Sequence, residues 1–214
     1  MIKILFTEVS GWDAAIIGMR NPLNSWAKMD SYWTYIEDAE TGQRAKFEFF
    51  AGDNDLKLMK TLAKAGSDHG KFLRFINVTC DITAPLYWWK EFDTYKVGTV
   101  ANSCSTMHKI QAKEFTLEDF SCEHLMDEAK YILSSTIGIM NLCRDKFNET
   151  KDKKWWWQMI QLLPTSYNQK RTVQLNYQVL KSMYHARKNH KLDEWHDFCA
   201  WCESLPYFIE LCGE

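Results

Sequence analysis

The stretch Thr83–Lys109, TAPLYWWKEFDTYKVGTVANSCSTMHK, decides how this chain is read, because packing alone does not explain its side chains. Upstream of it, Phe75–Thr83 is an extended run with β-branched residues and predicts a strand. Ala84-Pro85 closes that run. Proline suits the first helical position, so a helix carrying Trp88, Trp89 and Phe92 is expected next. A polar loop, Gly98–His108, then groups small hydroxyls, an amide and backbone N–H donors just after Lys90 and Lys96. That composition is suited to holding an anion.

Working outward, 214 residues suffice for one α/β or α+β domain with a sizeable core, so residues 1–214 are read as a single domain. A hydrophobic content of 46% and a charged content of 25% are ordinary for globular chains, whereas 10 Trp, 9 Tyr and 12 Phe favour large flat pockets or interfaces. The net charge of -2 supplies no basic footprint for long nucleic acid. No apolar run approaches the roughly 18 to 20 residues of a membrane span, and Met1–Phe6 is too short for a signal peptide. The expectation is a cytoplasmic protein with no membrane partner. Seven cysteines without export signals read as reduced thiols. His196, Cys199 and Cys202 have the look of a metal motif, but they drift around one helix face and no fourth ligand stands at a diagnostic spacing. A packed helix face is expected, and no metal.

In chain order, Met1–Glu8 reads as an edge strand and Trp12–Arg20 as a helix ending before Asn21-Pro22. Tyr32–Ile36 and Ala45–Ala51 are read as a hairpin around Glu40-Thr-Gly-Gln. Leu56, Met59, Leu62 and Ala63 recur at helical spacing from Asn54 to Ala65, with Asp53 or Asn54 as N-cap and Gly66 as the stop. Thr116-x-x-Asp119 resembles a capping box opening a long helix whose stripe includes Leu125, Leu133, Ile137, Met140 and Phe147. Trp155, Trp156 and Trp157 cannot share one helix face. At least one should touch a partner, a ligand or a subunit boundary, and partial burial in a large core would serve equally. Leu192–Cys202 is amphipathic around Trp195, Phe198 and Cys199.

The order of these features resembles the flavin-dependent thymidylate synthases. That family has a histidine-bearing turn, a strand ending in Ala-Pro, an aromatic helix, and then Arg-His-Arg-x-x-Ser-x-Asn-Glu-x-Ser-x-Arg. Here Ser67-Asp-His69-Gly, the strand, Ala84-Pro85, Trp88–Phe92 and Tyr95–Met107 follow one another. Asn102 and Ser105 match the signature. Tyr95-Lys96-Val97 stands where the family has Arg-His-Arg, and Val100, Ser103 and Met107 replace its first Ser, its Glu and its last Arg. After Leu163-Pro164 the resemblance returns with Asn176 and, eleven residues on, Arg187, spaced as the family spaces an Asn that touches flavin and an Arg that touches deoxyuridylate. Eleven steps of about 100° return to within about 20° of the start, so the two fall on one helix stripe, roughly 16 Å apart. The resemblance covers residues 54 to 109 and 162 to 200, with a weaker echo at Trp12–Arg20. Arg20 therefore has two readings, a phosphate contact or a cation at a helix C-terminus.

The resemblance implies an α+β fold with a twisted, mostly antiparallel sheet flanked by helices, of the thymidylate synthase complementing protein type. It also implies a homotetramer with sites shared between subunits, and reductive methylation of dUMP using FAD, NADPH and methylenetetrahydrofolate. The nucleotide side comprises Lys96, Asn102, Ser103, Ser105 and Arg187, and the flavin side comprises His69, Asn176 and Gln178, the last in place of an expected Arg. No side chain is assigned as catalytic. The alternative on the same scaffold is a non-catalytic protein that binds, and so sequesters, a nucleotide signal.

Overall fold

Strict alternation in one strand sets the architecture. In the computed structural model, which describes residues 2–37 and 44–213, β4 (Asn77–Pro85) buries Val78, Cys80, Ile82 and Ala84 on one face. A period of two is what a strand pressed against a core requires. β1 (Lys3–Ser10) and β6 (Asn168–Asn176) flank it, and β5 (Val100–Ser103) completes a four-stranded sheet in the order β1-β4-β6-β5. All three pairings are antiparallel. The β4–β6 ladder runs unbroken from Asn77 opposite Asn176 to Pro85 opposite Asn168.

Helices cover the sheet. α1 (Trp12–Arg20), α2 (Asp53–Lys64), α3 (Leu86–Phe92), α6 (Tyr177–Arg187), α7 (Asp193–Glu203) and α8 (Phe208–Cys212) contribute to one core that fully buries Trp12, Trp88, Trp89 and Trp195. A second cluster joins α4 (Asp127–Thr150) to α5 (Lys153–Leu162) through Leu133, Ile137, Met140 and Met159, with Phe115 and Phe120 packed beside them. β2 (Tyr32–Glu37) and β3 (Arg44–Phe50) pair as the expected hairpin. Its turn, Glu40–Gln43, lies outside the described residues. No helix among the described residues is long and apolar enough to cross a membrane.

Local chemistry departs from expectation in four places. The N-cap of α2 is Gly52 rather than Asp53 or Asn54, because the carboxylate of Asp30 accepts the N–H groups of Asn54 and Asp55 at 2.9 and 3.0 Å. A Cβ at Gly52 would collide with that carboxylate, 2.3 Å from its Oδ1, so the close approach selects glycine. The Thr116–Asp119 capping box forms, but on a short 3-10 turn, since Phe120 turns extended (φ -130, ψ 139) and bridges Tyr167; α4 starts only at Asp127. Within the polar loop, Val100–Ser103 is an edge strand. Finally, Pro85 is the N-cap of α3 and ends β4, one position before the helix.

Candidate functional site

The segment Glu91–Gly98 runs beside α6, and this contact gathers residues singled out by sequence. At one end Gly98 adopts φ +78, and a Cβ there would stand 3.1 Å from Asn176 Nδ2 and 3.0 Å from Val179 Cγ2. Conformation and space both demand glycine at that crossing. Asn176 is the last residue of β6 and the N-cap of α6; its Oδ1 accepts the N–H of Val179 at 3.0 Å. It therefore stands at the mouth of the helix with extended backbone (φ -125, ψ 166), not on a helical stripe with Arg187. Gln178, in the first turn, is half-buried and its amide makes no hydrogen bond among the described residues.

At the other end Arg187 closes α6. Its Nε donates to the Tyr95 hydroxyl at 3.0 Å and its Nη1 to Glu91 Oε2 at 2.8 Å. The guanidinium lies 4.9 Å from the Trp195 ring and 5.6 Å from the Tyr95 ring. Glu91 is shared, since Trp195 Nε1 also donates to Oε2 at 2.9 Å and His190 Nε2 lies 3.3 Å away. Arg187 Nη2 makes no hydrogen bond among the described residues. The sequence singles out Tyr95 only as a departure from the family signature and gives Glu91 no role. Glu91 lies in the last turn of α3 and Tyr95 just beyond it, and nothing local announces a partner 96 residues from Glu91.

Beyond Gly98 the loop joins the sheet, with Asn102 opposite Thr172 and Ser103 opposite Arg171. Both are exposed. Ser105 Oγ accepts the N–H groups of Met107 and His108 at 3.2 and 2.9 Å, a hydroxyl-closed turn that fixes the loop. Thr99 Oγ1 is buried with no hydrogen-bond partner among the described residues, a state that polar atoms in folded proteins seldom keep. His69 is exposed in the turn ahead of a 3-10 segment, Gly70–Arg74, that packs on α1 and α6.

Most cations near these elements are already engaged. Arg171 reaches Asp93 at 2.7 Å while stacking 4.2 Å from the Trp89 ring, and Lys170 reaches Asp81 at 2.6 Å. Hydrogen bonds from Lys170 and then Thr172 hold the Asp81 carboxyl below its ordinary range. Lys96 is exposed and makes no ion pair among the described residues. Arg20 is neither a phosphate contact nor a solvated helix end. It is 3% exposed and grips Asp55 Oδ1 through Nε and Nη2, each at 2.6 Å. Cys199 and Cys202 are buried thiols whose pKa is raised by burial, Cys199 to about 11.

A flavin asks for amide-like partners on its ring edge and for cations on its pyrophosphate. The Asn176 Nδ2, the Gln178 amide and the orphaned Thr99 hydroxyl fit the first requirement. For the second, the exposed cations of this stretch without an ion pair among the described residues are lysines, Lys90, Lys96 and Lys109, which offer point charges and no bidentate fork, so the residues present fit the ring better than the charged linker.

The fold defines a class, the flavin-dependent thymidylate synthase fold. The chain is similar over 99% of its length, and 97% of the other chain, to thymidylate synthase X from Helicobacter pylori with FAD and dUMP, at a TM-score of 0.69 and 14% identity. A second structure of the flavin-dependent thymidylate synthase from the same organism, complexed with FAD and dUMP, matches at 0.67 and 14%, covering 98% and 97%. A UMP/dUMP methylase from Streptomyces cacaoi bound with 5-Br dUMP matches at 0.59 and 13%, covering 99% and 94%. No family model matches the sequence. No curated protein matches it either.

Proposed function

We infer that this chain binds a pyrimidine nucleotide of the dUMP type on a flavin-dependent thymidylate synthase scaffold and is a divergent enzyme of that class. The observation that carries the reading is the close approach of Gly98 to Asn176 and Val179 at the N-terminus of α6, which brings the Asn176 amide beside a loop whose next residue, Thr99, has a buried hydroxyl without a hydrogen-bond partner among the described residues. Arg187 takes the phosphate. Its Nη2 is unpartnered beside an Nη1 held only by Glu91, so a phosphate that displaces Glu91 meets a planar pair of donors. Asn102, Ser103 and Ser105 supply neutral donors along the β5 edge, and Lys96 adds a point charge.

Asn176 and Gln178 hold the flavin ring, with His69 at its border. Bound FAD supplies the hydride carrier between NADPH and the carbon delivered by methylenetetrahydrofolate. The side chains of this chain bind, orient and exclude water, and none need be a strong nucleophile. The site is shared between subunits of a homotetramer. Supporting this, Tyr131, Ile132, Ile139 and Leu142 expose an apolar outer face of α4.

A second reading, a non-catalytic nucleotide binder, is favoured by the same ion pairs. Arg171 and Arg187 are both tied to carboxylates, and Tyr95-Lys96-Val97 offers no bidentate fork to a pyrophosphate. Absorbance separates the two. The enzyme reading expects flavin bands that survive desalting after FAD is added, whereas a colourless protein that still binds dUMP in calorimetry is the binder. Failure to bind dUMP, with Ser105→Leu indistinguishable from wild type, removes the nucleotide reading itself. Light scattering tests assembly: a particle of only 25.3 kDa would contradict the shared site.

A further inference from the structure

We propose that a cavity between the β2–β3 hairpin, β1 and the C-terminal helices binds an organic cation with a flat apolar body. Its volume is about 840 Å³, within the size range of small-molecule sites. Trp12 and Phe49 form buried walls, stacked with centroids 4.7 Å apart and planes 5° from parallel. Trp33 and Trp201 stand nearer the surface. Each has its indole N–H already satisfied, Trp33 by Asp13 at 3.0 Å and Trp201 by Thr7 Oγ1 at 3.0 Å. Their rings are thereby fixed, and what they offer a ligand is π surface.

The charge in the lining is one-sided. Glu8, Glu48 and Glu210 line the cavity; Glu8 and Glu210 make no hydrogen bond or ion pair among the described residues, and no described Lys, Arg or His side chain lines it. Carboxylates beside aromatic faces attract cations and repel anions such as nucleotides. The backbone of β1 is shaped to this end. Its pairing with β4 slips between Leu5 and Glu8, and Phe6 takes a left-handed φ of 54°. Bulges re-aim side chains, and here Thr7 reaches Trp201 while Glu8 reaches the cavity. A non-glycine residue kept in that conformation is the kind of strain that collects at ligand sites. β1 is the opposite sheet edge from β5, so this site stands apart from the nucleotide reading and does not depend on it.

The test uses the full chain and two probes of nearly equal shape, benzyltrimethylammonium and its neutral carbon isostere neopentylbenzene, followed by tryptophan fluorescence and by probe NMR shifts. The cation should bind saturably and about tenfold tighter than the isostere. In the double variant Glu8→Gln/Glu210→Gln that preference should collapse with neutral-probe binding unchanged, and Trp201→Leu should weaken both probes. Melting temperatures of each variant report whether the fold is intact. Equal affinity for the two probes, no saturable binding of the cation in the millimolar range, or a preference that survives in a folded double variant would each overturn the proposal.

Discussion

Arg20 and Arg187 occupy the same local position, the last residue of a helix, and each meets a carboxylate, yet the two pairs differ in kind. Arg20 and Asp55 are 3% and 0% exposed. Every direction around Asp55 is taken, with the Arg20 guanidinium on Oδ1 and the Asp30 N–H, Ser31 N–H and Ser31 hydroxyl on Oδ2 at 3.0, 2.9 and 2.7 Å. The Arg187 and Glu91 side chains are 19% and 33% exposed, and one guanidinium nitrogen has no partner among the described residues. Burial and a carboxylate with both oxygens engaged make the first pair a pin between α1 and α2, even though Arg20 Nη2 meets Asp55 as an ion-pair contact without hydrogen-bond geometry. Incomplete satisfaction and water access leave the second exchangeable.

The largest effect should follow from breaking the pin. Asp55→Ala strands a buried guanidinium and should cost about 3–5 kcal/mol in chemical denaturation. Arg187→Ala, by the same measurement, should cost no more than about 1 kcal/mol. Equal costs would erase the distinction.

Acid should show the contrast next. Burial alone would raise the Asp55 pKa, but hydrogen bonds from Asp30, Ser31 and Arg20 outweigh it and hold the carboxyl below its ordinary 3.8. A depressed folded pKa means the stabilisation is present above pH 3.8 and is lost as pH falls through the lower folded value. The denaturation free energy of wild type should therefore drop steeply across that acid range, and Asp55→Asn, already destabilised, should show a flatter slope there. Parallel slopes would mean that Asp55 is not the titrating group.

The smallest effect concerns Glu91. Glu91→Gln keeps an oxygen for Trp195 Nε1 but removes the charge that competes for Arg187, so dUMP should bind up to about fivefold tighter with little change in melting temperature. Weaker binding would show that Glu91 orients Arg187 for the ligand instead of competing with it.

The same contrast marks what a sequence can disclose. The β4 strand, Ala84-Pro85 and the tryptophans of α3 were legible because a β-branched run and proline placement are local signals. β5 was not, since its four residues are all exposed and carry no alternation to read. The Asp30 cap of α2 and the Arg20–Asp55 pair span 24 and 35 residues, so neither could be inferred from neighbours. At the candidate site, Asn176 and Arg187 were singled out by the family resemblance, and their spacing added the expectation of a shared stripe, whereas Asn176 caps the helix that Arg187 ends. Glu91 was the residue most fully hidden. It sits in the quoted stretch among the tryptophans, and only the fold shows that it holds Arg187.

The central claim is that a nucleotide phosphate takes Arg187 over from Glu91. Calorimetric titration of dUMP into wild type, Arg187→Lys and Arg187→Ala tests it most directly, with melting temperatures recorded without ligand. A charge-assisted hydrogen bond contributes about 1.5–3 kcal/mol, so Arg187→Ala should bind roughly ten- to hundredfold more weakly at nearly unchanged stability. Lysine keeps the charge and loses the fork, and should recover only part of the loss. If wild type binds dUMP and Arg187→Ala binds it equally well, Arg187 belongs to the fold alone and the phosphate site lies elsewhere.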